Sequence, residues 1–195
     1  MAELLILSFD TSAAHCAAAL LSGDRLIASR HEDMERGQAE RLFPLLDEIL
    51  SEATIGWQDL TLIGVGIGPG NFTGIRIAVA AARGLSLSLG IPAIGVGATE
   101  ALALNLPRPC RIVIPGRRNL AIWQDFTDDS TAPQQDPVDA LPPGPPTMTP
   151  RVSIAEGIAH ITRSRSTSPQ PRPAPIYLRP ADAAPARDRS PVILS

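Results

Sequence analysis

The sequence predicts an α/β fold in which three strands are followed by alternating helices and strands. The apolar runs 4–10, 16–21 and 25–31, the last two joined by turn residues 22–24, predict a three-stranded antiparallel meander. Apolar residues at helical spacing within 37–52 predict an amphipathic helix. A strand, a glycine-rich turn and a second helix come next, so the order of elements favours a mixed sheet with helices packed on it.

A glycine-rich turn joins the fourth predicted strand to the longest predicted helix. The apolar run 61–67 is spaced by glycines, and helix formers after the turn 68–74 extend a helix over about 71–89. Residues 93–96 then predict a parallel strand, and 99–104 predict a further helix. The predicted order is therefore βββαβαβα.

Composition divides the 195 residues into two unequal parts. Hydrophobic residues make up 44% of the chain, which is enough for a core, but 17 of the 20 prolines follow Leu106. We therefore predict a complete N-terminal subdomain over residues 1–105. Residues 106–195 are expected to form a reduced, Pro-rich second subdomain and tail.

The second part carries fewer signals of regular structure. Residues 111–114 and 120–126 predict strands, and residues 153–161 predict a helix. The stretches 131–150 and 164–175 are rich in Pro, Ser and Gln, which bury too little apolar surface to offset chain entropy. We expect residues 131–150 and much of 164–195 to be mobile and to be cut first by a protease.

The charge distribution argues against direct nucleic-acid binding by the body of the protein. Residues 1–159 carry 11 Arg against 18 Asp and Glu, a net charge of −7, whereas residues 160–195 carry 6 Arg against 2 Asp, a net charge of +4. An acidic body is a poor platform for phosphates, although an arginine-bearing tail can approach them. A solvated tail is the simpler interpretation of that segment.

Cellular location is predicted from two absences in the sequence. No continuous apolar run reaches the ~18 residues of a membrane span, and the first residues lack the basic region of a signal peptide. Cys16 and Cys110 lie far apart and form no Cys-x-x-Cys pair, which suits two reduced, buried thiols. We therefore expect a cytoplasmic protein without a membrane partner.

The turn Gly68-Pro69-Gly70-Asn71-Phe72-Thr73-Gly74 has three interpretations. A phosphate loop fails because it needs a lysine and the chain contains none. A dinucleotide fingerprint is weak, since the next strand ends in Gly97 and Ala98 rather than in an acidic residue. A glycine-rich turn without any ligand is the third interpretation.

Asp10 and Thr11 follow the first strand and are candidates for a nucleotide site together with Gly68 and Gly70. An acid and a hydroxyl at a strand end can meet a metal-bound phosphate, but such residues also bond their own backbone in turns. From these residues alone the two interpretations stay open.

No metal centre or catalytic nucleophile is indicated. His15, His31 and His160 show no i, i+4 spacing, and no helix carries a His, Cys and carboxylate cluster with ligand spacing. The chain also has no Gly-x-Ser-x-Gly elbow, so a hydrolase has no support in these residues. We predict no catalytic and no metal-binding residues.

Four segments together resemble the bacterial TsaB (YeaZ) family, whose members assist threonylcarbamoyl-adenosine modification of tRNA. They are Phe9-Asp10-Thr11-Ser12, residues 40–46, the run Gly68 to Arg76, and residues 95–102. The resemblance covers residues 3–105 and implies the actin/hexokinase/Hsp70-like (ribonuclease H-like) βββαβα fold with a nucleotide cleft between two subdomains. The first subdomain is complete and the second is shortened.

The resemblance also implies a function. The chain is similar to the non-catalytic paralogue of TsaD, the subunit that transfers the threonylcarbamoyl group to A37 of tRNA (t6A37). TsaD-type proteins carry a His-x-x-x-His metal pair where this chain has Ala98 and Leu102. The expected role is that of an activator of TsaD; the alternative is an independent nucleotide-dependent phosphotransferase of the same fold.

The partners implied by the resemblance are a TsaD-type transferase and a TsaE-type ATPase, with a homodimer when the chain is alone. Contact with tRNA is expected only through the complex. No cofactor is expected to bind tightly, although ATP or ADP is possible in the complex.

Two helices, about 38–52 and 72–89, are predicted to form the partner surface. Each has a wider apolar arc than one core contact requires, and the second is lined with small residues over which another helix can pack. Arginines at the rim suit pairing with acids of a partner. The predicted interface residues are Leu42, Phe43, Leu46, Arg76, Val79, Ala80 and Arg83.

Overall fold

The structure is a computed structural model that describes residues 4–116, 118–128 and 131–178. Eight strands and four α-helices are assigned within these ranges, with short 3-10 turns at Trp57–Asp59 and Val138–Ala140. In chain order the elements are β1 Leu5–Asp10, β2 His15–Ser22, β3 Arg25–Asp33, α1 Gln38–Glu52, β4 Leu62–Gly66, α2 Phe72–Leu89, β5 Ala93–Val96, α3 Ala98–Leu102, β6 Cys110–Pro115, β7 Leu120–Phe126, β8 Gln134–Pro137 and α4 Ile154–Arg165.

The first five strands form one mixed sheet in the order β3-β2-β1-β4-β5. Strands β1, β2 and β3 are the predicted antiparallel meander, whereas β4 lies parallel to β1 and β5 parallel to β4. The parallel pairs require crossover connections, which α1 and α2 supply. The predicted order βββαβαβα is confirmed, with α3 shorter than expected.

Helices cover both faces of this sheet. Every residue of β2 is buried, because one set of alternating side chains faces α1 and α2 and the other set faces α4. Cys16, Ala18 and Leu20 share a core with Leu45 and Ile49 of α1. Burial of each large aliphatic side chain contributes about 1.5–3 kcal/mol. This side of the sheet has the larger cluster of buried side chains and is therefore the main core.

Helix α4 belongs to the second part of the sequence but packs on the first sheet. Ala155, Ile158 and Ala159 are fully buried there, and the Ser8 hydroxyl of β1 donates to the Ala155 carbonyl oxygen at 2.7 Å. The Ser153 side chain caps its first turn by accepting from the Glu156 N–H. The large sheet is therefore closed by a helix that follows the second sheet in the chain.

The second sheet is small, in the order β6-β7-β8. A Pro-rich segment runs beside β6, where the Arg111 N–H donates to the Pro146 carbonyl oxygen and the Met148 N–H donates to the Arg111 carbonyl oxygen. The prediction that residues 131–150 are linker-like is therefore wrong, since β8 and this segment both bond to strands of the second sheet. Proline carbonyl oxygens accept hydrogen bonds from β6, and composition did not indicate that role.

Candidate functional site

The turn between β4 and α2 is built on close contact with the turn after β1. Gly68 has a φ of +87°, and its peptide to Pro69 is cis. A Cβ added to Gly70 would lie 2.2 Å from the Ser12 carbonyl oxygen, and one added to Gly74 would lie 1.8 Å from the Thr11 carbonyl oxygen. Glycine at these positions lets the two backbone segments lie in contact. This close approach accounts for the glycines without a bound ligand.

Asp10 lies at the end of β1 and is fully buried. Its Oδ1 accepts from the Ser12 N–H at 3.0 Å and the Ser12 hydroxyl at 2.9 Å, and it lies 2.7 Å from His15 Nε2. Its Oδ2 has no hydrogen-bond partner among the described residues, and a Cβ on Gly66 would collide with it. Asp10 thus holds its own turn together, as in one of the two interpretations that the sequence left open.

The N-terminus of α2 is already satisfied by the chain. The Asn71 side chain accepts from the N–H groups of Thr73 and Gly74 at 3.0 and 3.2 Å, and the Thr11 hydroxyl donates to the Gly74 carbonyl oxygen at 2.7 Å. Thr11 is fully buried. The donors that an anion would need are therefore capped in this conformation, so the geometry does not favour a nucleotide site at Asp10, Thr11, Gly68 and Gly70.

Three of the predicted partner residues lie inside the molecule. Leu42 and Leu46 of α1 belong to the main core, and Val79 of α2 is only 4% exposed. A partner contact does not fit these side chains, because the sheet already covers them. The heptad-like spacing of α1 indicates its core face, and the wider arc that suggested a partner comes from Phe43, which is 44% exposed.

The outer side of α2 remains uncovered. Only five of its 18 residues are buried, and Leu87 is 87% exposed. Ala80 and Gly84 also lie on the exposed side. By length and apolar content alone, α2 could cross a membrane, and the same is true of core helices in soluble proteins. It is the one such helix within the described ranges. An apolar helix this exposed is suited to contact with another surface.

Arg76 and Arg83 are the predicted cations on this side of α2, and both are exposed. Arg76 stacks over the Phe72 ring at 3.8 Å and donates from Nε to the Tyr177 hydroxyl at 2.9 Å. Arg83 donates from Nε to the Pro173 carbonyl oxygen at 2.8 Å. The structure therefore brings both predicted arginines to the residues that follow α4, a contact that no motif indicated.

A cleft of about 510 Å³ lies where the two sheets approach each other. Its polar lining comes from distant segments of the chain and includes Glu100, Arg108, Gln124 and Arg165. Arg165 Nη2 donates to Glu100 Oε1 at 2.5 Å, and the Arg108 guanidinium lies 4.5 Å from the centre of the Phe126 ring. Sequence reasoning missed this cleft because no local spacing connects its residues. Neither Asp10 nor Thr11 lines it.

No group of three or more His, Cys, Asp or Glu side chains suitable for a metal ion is found in residues 4–116, 118–128 and 131–178. Ala98 and Leu102, the positions that correspond to the TsaD-type histidine pair, lie one turn apart in α3. Ala98 is buried, and neither side chain has an atom that can bind a metal.

Comparison with known proteins identifies the class of protein that this fold and these segments define. The family model for TsaD, described as tRNA N6-adenosine threonylcarbamoyltransferase, matches residues 28–141. Because the match spans more than half of the chain, the chain belongs to the TsaD family. This membership associates the chain with threonylcarbamoyl-adenosine modification of tRNA. No curated protein matches the chain.

Two solved structures from Pseudomonas aeruginosa share the fold over most of the chain. One, described as an uncharacterized protein similar to the peptidase YeaZ, is 23% identical with a TM-score of 0.77. The other, YeaZ, is 24% identical with a TM-score of 0.73. Each alignment covers 90% of this chain and 100% of the other. Together with the family match, they confirm the predicted resemblance to TsaB (YeaZ) proteins and the actin-like α/β fold.

Proposed function

We propose that this protein is a non-catalytic partner that activates a TsaD-type transferase in t6A37 modification of tRNA. The observation that carries the proposal is the outer side of α2, where Ala80, Gly84 and Leu87 are exposed together with Arg76 and Arg83. A stable interface buries about 800 Å² on each side, and two helices of this length can supply that area.

The non-catalytic part of the proposal is supported by side-chain chemistry. Ala98 and Leu102 stand where TsaD-type proteins have the metal-binding histidines, and an alkyl side chain cannot bind a metal. The phosphotransferase alternative is not favoured, because Asp10 and Thr11 are buried, Asp10 is bonded within its own turn, and the Thr11 hydroxyl is bonded to Gly74 of α2. We propose that ATP or ADP, if used, is bound in the complex rather than tightly by this chain.

The other partners follow from the same proposal. A TsaE-type ATPase joins the complex, tRNA is contacted only through that complex, and the protein acts in the cytoplasm.

Alone, the chain forms a homodimer through α1 and α2. The exposed side of α1 carries Glu40 and Asp47, whereas that of α2 carries Arg76 and Arg83. A two-fold interface can therefore place the arginines of one copy opposite the acids of the other.

The test is co-purification with the TsaD-type transferase, followed by an A37 modification assay with and without this chain. We expect a stable complex and modification that depends on adding the chain. The isolated chain should neither hydrolyse ATP nor modify tRNA. ATP turnover by the purified chain that Asp10→Ala abolishes would support the phosphotransferase instead.

A further inference from the structure

The residues that follow α4 return across the large sheet and lie against α2. We call residues 171–178 the strap. The Ile176 N–H donates to the Ile67 carbonyl oxygen at 2.8 Å, just beyond the end of β4. Pro173 is buried, and its carbonyl oxygen accepts from Arg83 Nε. The prediction that 164–175 is linker-like is therefore wrong at Pro173, which is packed and bonded, while residues 179–195 lie outside the described residues.

Tyr177 fixes the strap at the first turn of α2. Its ring centroid lies 4.9 Å from that of Phe72, and its hydroxyl accepts from Arg76 Nε at 2.9 Å. Strap contacts thus occupy both arginines of the outer α2 surface, seven residues apart along the helix. A partner that takes the Nε–H group of either arginine must therefore displace the strap.

The acceptors that the strap offers are neutral. Within the part of the chain that the structure describes, neither Arg76 nor Arg83 forms an ion pair. A guanidinium has five N–H donors in a planar fork, and a carboxylate can accept two of them in parallel with the added attraction of opposite charges. Carboxylates on a partner surface therefore bind both arginines better than a phenol oxygen and a peptide carbonyl do.

We propose that the strap is a built-in competitor for the α2 surface, and that a TsaD-type partner displaces it by placing carboxylates on Arg76 and Arg83. The inference rests on the proposed function, since it assumes that such a partner binds α2. The apparent dissociation constant equals the intrinsic one divided by the fraction of molecules with the strap open. If about one molecule in ten is open, releasing the strap tightens binding about tenfold.

The test compares full-length variants in binding to the purified TsaD-type transferase. Ile176→Pro removes the N–H that bonds Ile67, and Tyr177→Ala removes both the ring contact and the Arg76 acceptor. Ala174→Ser changes an exposed strap residue and is the matched control. We expect both release variants to bind about tenfold more tightly and the control to bind like the wild type. Thermal unfolding of each variant checks that the body is intact.

A second measurement follows the strap itself. The native cysteines among the described residues, Cys16 and Cys110, are buried. A cysteine introduced at the exposed position 174 by Ala174→Cys can therefore be labelled selectively with a nitroxide. We expect the label to become more mobile when the transferase is added.

The outcomes separate the two proposals. If the transferase binds but the label stays immobile and the release variants bind no more tightly, the competition is overturned while the proposed function stands. Weaker binding by Tyr177→Ala would make the strap part of the interface and would also overturn the competition. If neither wild type nor release variants bind the transferase, the proposed function fails and the competition fails with it.

Discussion

Gly74 shows how single residues fix the geometry of the turn before α2. Its α-carbon faces the Thr11 carbonyl oxygen, and an added Cβ would lie 1.8 Å from that backbone atom. We expect Gly74→Ala to lower the free energy of unfolding by about 3 kcal/mol, because a backbone shift is needed to relieve the contact. Denaturant unfolding measures the change.

Gly84 in the same helix is the matched control. A Cβ at Gly84 meets no atom within 4 Å, so Gly84→Ala should raise the free energy of unfolding by up to about 1 kcal/mol through helix propensity. Equal destabilisation by both substitutions would show that the Thr11 contact is not what requires glycine at position 74.

Cys16 makes the stability of the protein depend on pH in the alkaline range. Burial, followed by the charge of Glu32 on the neighbouring strand, raises the pKa of the Cys16 thiol from 9.0 to about 11. Because the folded-state pKa is the higher one, this contribution is fully present below pH 9 and is lost as the pH rises towards 11.

The thiol prediction is checked in two ways. Ellman's reagent at pH 8 should react with Cys16 only after unfolding. The free energy of unfolding should also fall less steeply between pH 9 and 11 in Cys16→Ala than in the wild type. Rapid labelling of Cys16 in the folded protein would contradict the burial.

At the residue scale the sequence indicated which residues matter in the turns but not what they touch. Asp10, Thr11, Gly68 and Gly70 were selected because acids, hydroxyls and glycines at a strand end suit phosphates. In the structure the same properties serve bonds within the turn after β1 and contacts between that turn and the turn before α2. Both uses require the same residue types, so only the three-dimensional packing distinguishes them.

Helix α2 has an exposed side and a buried side, and a charged substitution should affect folding on one side only. Ala80 is exposed, whereas Ala82, two residues later, is fully buried in the main core. We expect Ala80→Glu to fold normally but to lose partner binding, because an unpaired charge in an interface costs several kcal/mol. Thermal unfolding and co-purification with the transferase measure the two effects.

Ala82→Glu is the control for this prediction. It places the same charge in the core, so we expect loss of the cooperative thermal transition. If Ala80→Glu also loses its transition, the outer side of α2 is core; if it folds and still co-purifies, that side is only solvated.

Regular elements were predicted well because periodicity reports them directly. The predicted bounds of α1, β5 and β7 are those of the structure, and α2 begins at residue 72, within one residue of the predicted start at 71 or 72. The packing of the Pro-rich segments could not be predicted in this way. Composition indicates how much apolar surface a segment can bury, but it does not indicate which backbone oxygens accept hydrogen bonds. Pro142, Pro146 and Pro173 each accept a hydrogen bond from an arginine through a backbone oxygen.

The whole molecule depends on α4 more than the proposed boundary between 105 and 106 suggests. Fragment 1–105 contains the large sheet but lacks the helix that buries one face of β1, β2 and β4. We expect this fragment to aggregate or to unfold without a cooperative transition, because that face would be open to water. Circular dichroism during heating measures the transition.

Fragment 1–168 is the control, since it keeps α4 and removes the strap. We expect it to unfold cooperatively. A cooperative transition in 1–105 at the same temperature would mean that the first subdomain is independent of α4, as the sequence-based boundary predicts.

Closing the large sheet with α4 has a consequence for synthesis of the chain. The Ser8 hydroxyl and the Ala155 carbonyl oxygen that it bonds belong to residues 147 positions apart. At about 5–20 residues per second, roughly 7–30 s separate the addition of these two residues at the ribosome. One apolar face of the first strands therefore stays without its covering helix during this interval, and translation speed sets how long the interval lasts.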